Sequence, residues 1–343
     1  MDVGIAGLAG SGRTTLFRAL LAHRAPRESG ARHAGGAIGT IHVQDARLEQ
    51  LSARFRPKKT TPIEIRVHDC CPSLEPSFPT AEIGAMKQMD QLLLAVPAFA
   101  DPSEAALGQG FERLLSELCL ADLTLVERRL GQAHAKYSDT ERAALERAQH
   151  ALEEGRPVAA ASLSTPQREA LRGYAFVTDR FMIALVNTAE DAADAAPPEA
   201  LVKRAEEYGI PTLALCAALE AEMAELPTEE RVSFLAEYGI PEPAGAAVTR
   251  AILRCADIIP FFTIGDDECR AWAIRRGTTA HAAAGKIHTD IARGFIRAEV
   301  IAAEDLEPLQ GGLGEARKLG KLRLEGKGYV IQDGEVVHFR FNV

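Results

Sequence analysis

The sequence predicts an α/β protein: a doubly wound parallel sheet interrupted by a helical hairpin arm, followed by a smaller α+β domain. Three observations predict it. Up to about residue 260, short apolar runs alternate with stretches of helical periodicity, the pattern of strands joined by crossover helices. Between residues 111 and 175 that alternation stops, and Phe111, Leu114, Leu115, Leu118, Leu123, Val126 and Leu130 keep helical spacing alone. Past Pro260 the strands turn amphipathic, and an Asp333-Gly334 pair sits between two of them. These breaks divide the chain into a first part of the sheet domain (1–110), the arm (111–175), a second part of the sheet domain (176–260) and a C-terminal domain (261–343).

Taken in order, Val3-Gly4-Ile5-Ala6 is a buried strand and Leu16 to Leu21 begins a helix. Between them lie Gly7, Gly10, Ser11, Gly12, Arg13, Thr14 and Thr15, spaced as Gly, four residues, Gly, a base and Thr. A glycine-rich turn from strand into helix lets successive backbone N–H groups surround a phosphate. The spacing is that of a Walker A phosphate loop, with arginine where the pattern has lysine. Thr14 is placed to offer its hydroxyl to magnesium. The alternative is a tight strand-to-helix turn with no ligand. A dinucleotide loop fits less well, because Thr15 stands where its third glycine belongs.

Arg24 to Gly39 reads as a mobile loop, and Asp45 as the cap of a helix over Arg47 to Phe55. Ile63 to Asp69 alternates as a strand ending on an acid. Cys70 to Pro79 holds three prolines and is irregular. Met89 to Val96 is a further buried strand. The arm follows, with a capping box at Ser138 and Glu141 and a proline-initiated helix at Ser164-Thr165-Pro166. Phe181 to Val186 returns to the sheet and ends at Asn187; Thr212 to Leu215 ends at Cys216-Ala217. Gly7–Thr15, Asp69, Asn187–Glu190 and Cys216–Ala218 therefore all fall at strand ends, where doubly wound sheets bind ligands. In the last domain, Cys269–Ile274 and Phe295–Ile301 are strands, Thr279–Ile287 is a helix, and Tyr329–Gln332 with Glu335–Phe341 is a hairpin.

Composition narrows the partners. A formal net charge of −9 gives no global positive field for nucleic acid or membrane. Six cysteines lack metal-ligand spacing, which reads as reduced thiols in a cytoplasm. The start lacks the basic leader of a signal peptide, and the longest apolar stretch, Leu92 to Ala100, is too short to span a bilayer.

These residues resemble the YchF, or Obg-like, ATPases, a branch of the Obg-type phosphate-loop NTPases. Ala284–Asp290, Gly294–Glu299 and Tyr329–Val343 look like that family's TGS domain, a β-grasp fold. Asp45–Leu48, Leu120–Leu123 and Cys216–Glu220 match as well. The resemblance implies a phosphate-loop NTPase domain with a coiled-coil-like arm, ATP or ADP with Mg2+ as cofactors, and ribosome or RNA as partner through the arm and TGS domain. It implies base reading by Asn-x-x-Glu, here Asn187-Thr188-Ala189-Glu190, with Cys216, Ala217 and Ala218 lining the base and Thr14 and Asp69 holding the metal. A carboxamide at Asn187 can donate to an adenine ring nitrogen and accept from its amino group.

The chain departs from the family on the phosphate side. Arg13 keeps the charge of lysine in a wider, planar shape. Gly10 replaces an asparagine. Asp69-Cys70-Cys71-Pro72 replaces Asp-x-x-Gly, and Pro72 has no N–H to offer a γ-phosphate. The loop from Arg24 to Gly39 is shortened. The resulting reading is an adenine-nucleotide-binding protein of the translation machinery with impaired γ-phosphate sensing and weak hydrolysis, and no catalytic residue is assigned. The alternative is a pseudo-NTPase adaptor that works through its arm and TGS domain. Bases between Lys286 and Lys327 are nearly balanced by acids, so an RNA face and a solvated mixed surface both fit. A third reading makes Cys70-Cys71 a redox sensor.

Overall fold

The structure is a computed structural model that describes residues 1–21, 32–33, 36–70, 78–132, 137–223, 225–240, 242–306, 308–309 and 312–342. They form two compact units: Met1–Ile41 with Ile65–Val248, and His42–Glu64 with Thr249–Val343. The linear reading placed residues 42–64 in the first domain. They group instead with the C-terminal unit, because Lys59–Thr61 adds as a parallel edge strand to Glu268–Arg275, with Thr60 opposite Cys269. Helix Ala46–Phe55, capped by Asp45 through a 3.0 Å bond from the Arg47 N–H, belongs to the same unit and buries Leu48 and Leu51.

The first unit is built on a sheet ordered Arg32–His33, Gly36–His42, Glu64–Asp69, Asp2–Ala6, Gln91–Pro97, Phe181–Asn187 and Thr212–Leu215. Asp2–Ala6 pairs in parallel with Glu64–Asp69 on one side and Gln91–Pro97 on the other. Phe181–Asn187 and Thr212–Leu215 continue the parallel run. The chain thus winds outward in both directions from its first strand, and the carboxyl ends of these strands meet on one edge. The central strands are buried on both faces, which is why they read as unbroken apolar runs.

Between Gln91–Pro97 and Phe181–Asn187 the chain forms the arm, with long helices Glu104–Leu130 and Asp139–Glu153. The first starts earlier than its periodicity suggests, because Ser103 caps it by accepting from the Ala106 N–H at 3.3 Å. Gly108 and Gly110 mask the helical signal there. At Ser138 only half of the capping box forms: the hydroxyl accepts from the Glu141 N–H, while the Glu141 carboxylate takes the Tyr174 hydroxyl at 2.6 Å. Ser164 and Gln167 complete a reciprocal box at the next helix. The arm is anchored at its base by Asp122, a buried carboxylate that accepts from the Val177 N–H (3.1 Å), the Thr178 N–H (2.8 Å) and the Thr178 hydroxyl (2.7 Å). Burial pushes this carboxyl upward, against the pull of those donors.

The second unit has a mixed sheet ordered Arg323–Glu325, Phe295–Ala302, Glu335–Phe341, Ile258–Ile264, Glu268–Arg275 and Lys59–Thr61. Helix Ala280–Ile287 presents Ala280, Ala283 and Ala284 to a core of Ile259, Phe261, Phe295, Val300, Val337 and Phe339. The expected hairpin is not formed. Tyr329–Gln332 is no strand, although Val330 makes an isolated bridge to Thr279, and Glu335–Phe341 pairs with Phe295–Ala302. The buried Glu335 carboxylate turns the segment back by accepting from the Gln332 N–H (2.8 Å) and the Tyr329 hydroxyl (2.6 Å). A strand also runs through Pro260, where the sequence had suggested a boundary. No described helix is long and apolar enough to cross a membrane.

Candidate functional site

The loop after the first strand has the backbone its glycines demand. Gly10 and Gly12 both stand at φ 79°, a left-handed conformation that side chains disfavour. The Leu16 N–H bonds to the Gly12 carbonyl at 2.8 Å and starts the helix Arg13–Leu21. Arg13 is only 7% exposed, and its Nη1 donates to the Gly7 carbonyl at 2.6 Å. The guanidinium therefore lies across its own loop. The Thr14 hydroxyl, in the first turn of the helix, reaches Asp69 Oδ2 at 3.5 Å. A hydroxyl and a carboxylate, brought together from the helix start and the end of the neighbouring strand, are hard oxygen ligands of the kind magnesium takes, so this pair fits that ion.

Beside the loop opens a cleft of about 580 Å³, lined by Gly12, Thr15, Phe99, Asn187, Thr188, Ala189, Glu190, Asp191, Cys216 and Ala218. Asn187 is its keystone. The side-chain Oδ1 accepts from the Ala217 N–H at 3.0 Å. The Nδ2 sits against Gly12, where any Cβ would collide with it. The backbone carbonyl accepts from Ala98 and Phe99 N–H groups at 2.8 and 3.0 Å. The Thr188 N–H donates to the Leu215 carbonyl at 2.9 Å. Three strand ends are cross-tied in this way around one side chain.

Two residues of the cleft lining stand out. The Phe99 ring is 43% exposed at its mouth. The Thr188 hydroxyl in the cleft wall is buried and has no hydrogen-bond partner among the described residues, a costly state. Burial pushes the Cys216 thiol up, against N–H groups from Leu219 and Ala218, so it stays protonated at neutral pH.

Of the residues singled out in the sequence, Gly12, Thr15, Asn187, Glu190, Cys216 and Ala218 line the cleft, and Gly7 and Arg13 meet at the loop. Ala217 stands behind the wall and acts through Asn187. The carboxamide of Asn187, assigned wholly to a base from sequence, has its oxygen committed to the protein. Thr188 and Ala189 fall inside the Asn187–Glu190 stretch without a role of their own, and Phe99 and Asp191 were missed. Phe99 carried a usable signal: it follows the carboxyl end of strand Gln91–Pro97 directly. Cys71, Pro72 and most of the Arg24–Gly39 loop lie outside the described residues. Cys70 is 1% exposed, so no exposed thiol pair stands among the described residues to serve a redox role.

The YchF-GTPase_C family (protein of unknown function, DUF933) matches residues 258–342. Along its whole length the chain is similar to the ribosome-binding ATPase YchF of Bacillus subtilis, 32% identical over 371 residues that cover 100% of each. It is 35% identical to the protein of the same name from Haemophilus ducreyi over 362 residues, 99% of each. This chain belongs to the YchF family. Its fold is also that of the Schizosaccharomyces pombe YchF GTPase, with a TM-score of 0.83 over 99% of this chain and 97% of the other, at 23% identity. The doubly wound domain with its arm and the C-terminal domain are thus YchF-family features, and the arginine lying across the phosphate loop is set in that frame.

Proposed function

We propose that this YchF-family chain binds an adenine nucleotide with magnesium in the cleft beside Gly12 and Asn187, acts with the ribosome, and hydrolyses ATP weakly. One observation carries the reading: the Thr14–Asp69 pair is kept while Arg13, the loop's cation, is turned onto the Gly7 carbonyl. Magnesium, when bound, supplies charge to neutralise phosphate oxygens. The loop's backbone N–H groups can still cradle phosphates, because Gly10 and Gly12 keep their left-handed conformations. A guanidinium held to a carbonyl has fewer donors for charge developing on a γ-phosphate, and Pro72 removes a second donor. At the other end, the exposed Phe99 ring offers a face for a flat base. The ribosome enters the proposal because the full-length relatives bear that name.

The test is calorimetric ATP and ADP affinity, single-turnover hydrolysis, and co-sedimentation with ribosomes with and without nucleotide. Micromolar or weaker binding with slow turnover is the expected result. Hydrolysis as fast as that of the Bacillus subtilis relative, abolished by Thr14→Ala, would sink the reading. The same commitment of Arg13 favours a second reading, a pseudo-NTPase adaptor, which gains if ribosome association is unchanged when nucleotide is left out.

A further inference from the structure

A separate cleft of about 440 Å³ lies wholly within the C-terminal unit. Four guanidiniums line it, from Arg47, Arg250, Arg254 and Arg276, against two carboxylates, Asp45 and Asp333. The six come from distant parts of the chain, so nothing in the local sequence marks the site.

The charges in this wall play different parts. Arg47 is internal scaffolding. It forks onto Asp45 at 3.0 and 2.8 Å, reaches Asp333 at 2.8 Å, and packs over the Phe262 ring at 5.5 Å. One guanidinium thereby engages both acids of the cleft. Arg254 is different: it is exposed, in the last turn of helix Ala244–Cys255, and has no ion-pair partner among the described residues. Arg250 precedes it by one turn on the same helix. Arg276 is held from behind. Its N–H bonds to the Asp257 carbonyl at 2.8 Å, and its Nε to Asp257 Oδ1 at 3.1 Å. Asp257 itself stands at φ 52°, a left-handed conformation costly for a residue with a side chain. With Nε occupied, both Nη groups of Arg276 are left without a partner among the described residues.

Arg254 and the two Nη groups of Arg276 present donors to the same concavity, and the planar forks of guanidiniums match phosphate oxygens. We propose that this cleft is a phosphate-binding site, with Arg254 and Arg276 supplying the direct contacts and the cross-linked Arg47–Asp45–Asp333 cluster forming a rigid part of its wall. A volume of about 440 Å³ suits an oligophosphate or a mononucleotide-sized segment of a polymer. The phosphate can come from a free anion or from an RNA backbone. The site lies in the other unit from the nucleotide cleft and does not rest on its assignment.

The experiment uses the full chain in magnesium-free buffer, titrated calorimetrically with tripolyphosphate. The wild type, Arg254→Gln and the double variant Arg254→Gln/Arg276→Gln are compared. The expected result is saturable binding weakened about tenfold or more in the double variant. ATP affinity in magnesium serves as the separate readout of the nucleotide cleft and stays at the wild-type value in the double variant. Arg254→Gln alone changes an exposed side chain and carries the test if the double variant fails to fold. A parallel titration with a short single-stranded RNA distinguishes the sources. RNA binding weakened in the double variant and competed by tripolyphosphate assigns the site to a polymer, and RNA binding that ignores the variants assigns it to a free anion. Equal tripolyphosphate affinity in wild type and both arginine variants, or no binding at all, overturns the proposal.

Discussion

The base side and the phosphate side of the proposed nucleotide cleft share Gly12 and Asn187 but spend their polar groups in opposite ways. On the base side the backbone is tied by bonds that a ligand does not need: Asn187 to Ala217, Ala98 and Phe99, and Thr188 to Leu215. The exposed Phe99 ring is left over for a guest, and the Thr188 hydroxyl stays buried in the wall without a partner among the described residues. On the phosphate side the side chain with the most donors, Arg13, is spent on the Gly7 carbonyl. A site can therefore stay pre-organised for one part of a ligand while losing the donors that act on another. Binding and turnover need not decline together, since only interactions made in the transition state raise the rate of chemistry.

Four changes break or sharpen that contrast. Gly12→Ala is expected to have the largest effect, because it strikes both halves. Gly12 needs its left-handed backbone, and a Cβ there collides with the Asn187 amide. Strain and collision together of about 3 kcal/mol correspond to a roughly 100-fold or greater loss of ATP and ADP affinity, with a lower Tm. Calorimetry and thermal melting check this, and retained affinity would show that the halves are not joined through this contact. Next is Arg13→Lys combined with Pro72→Gly, which restores a point charge and an N–H to the phosphate side. Single-turnover hydrolysis should rise by on the order of 100-fold, and by no more than about threefold in Arg13→Lys alone. A full recovery in the single variant would place the whole deficit on Arg13.

Phe99→Ala tests the base side alone. Loss of a stacking face costs about 1–3 kcal/mol, so adenine nucleotide affinity should drop about tenfold while hydrolysis per bound ATP is unchanged. Thr188→Val is the finest probe. Removing an unpartnered buried hydroxyl should raise the Tm slightly, yet weaken nucleotide binding about threefold if the base uses that group. A Tm gain with no change in affinity would remove Thr188 from the site.

Much of this molecule is legible in its residues. The spacing of Gly7 to Thr15 encodes a loop whose glycines have to leave the ordinary backbone regions, and Gly10 and Gly12 do so. The acid at the end of an alternating strand falls opposite Thr14, because parallel neighbours align their carboxyl ends. Ser103 and the masked start of the arm show the limit of periodicity: two glycines hide a helix that a cap makes certain. The failed hairpin shows another limit. An Asp-Gly turn and two alternating runs favour pairing, but the buried Glu335, already paired with Arg323, also takes the Gln332 N–H and the Tyr329 hydroxyl, which holds that segment out of the ladder.

Local chemistry, then, determined by sequence alone the loop, the buried strands of the first sheet, the Asp45 cap and the family resemblance, since each rests on residues within a few positions of one another. Tertiary structure alone decided what those pieces meet. It sent residues 42–64 to the second unit through the pairing of Lys59–Thr61 with Glu268–Arg275. It committed the Asn187 Oδ1 to the Ala217 N–H beside Gly12, and it gathered Arg47, Arg254, Arg276 and Asp333 around one cleft. The physical reason is the same in each case. Backbone pairing and charge compensation act between atoms that are close in space, and the partners here are separated by tens to hundreds of residues.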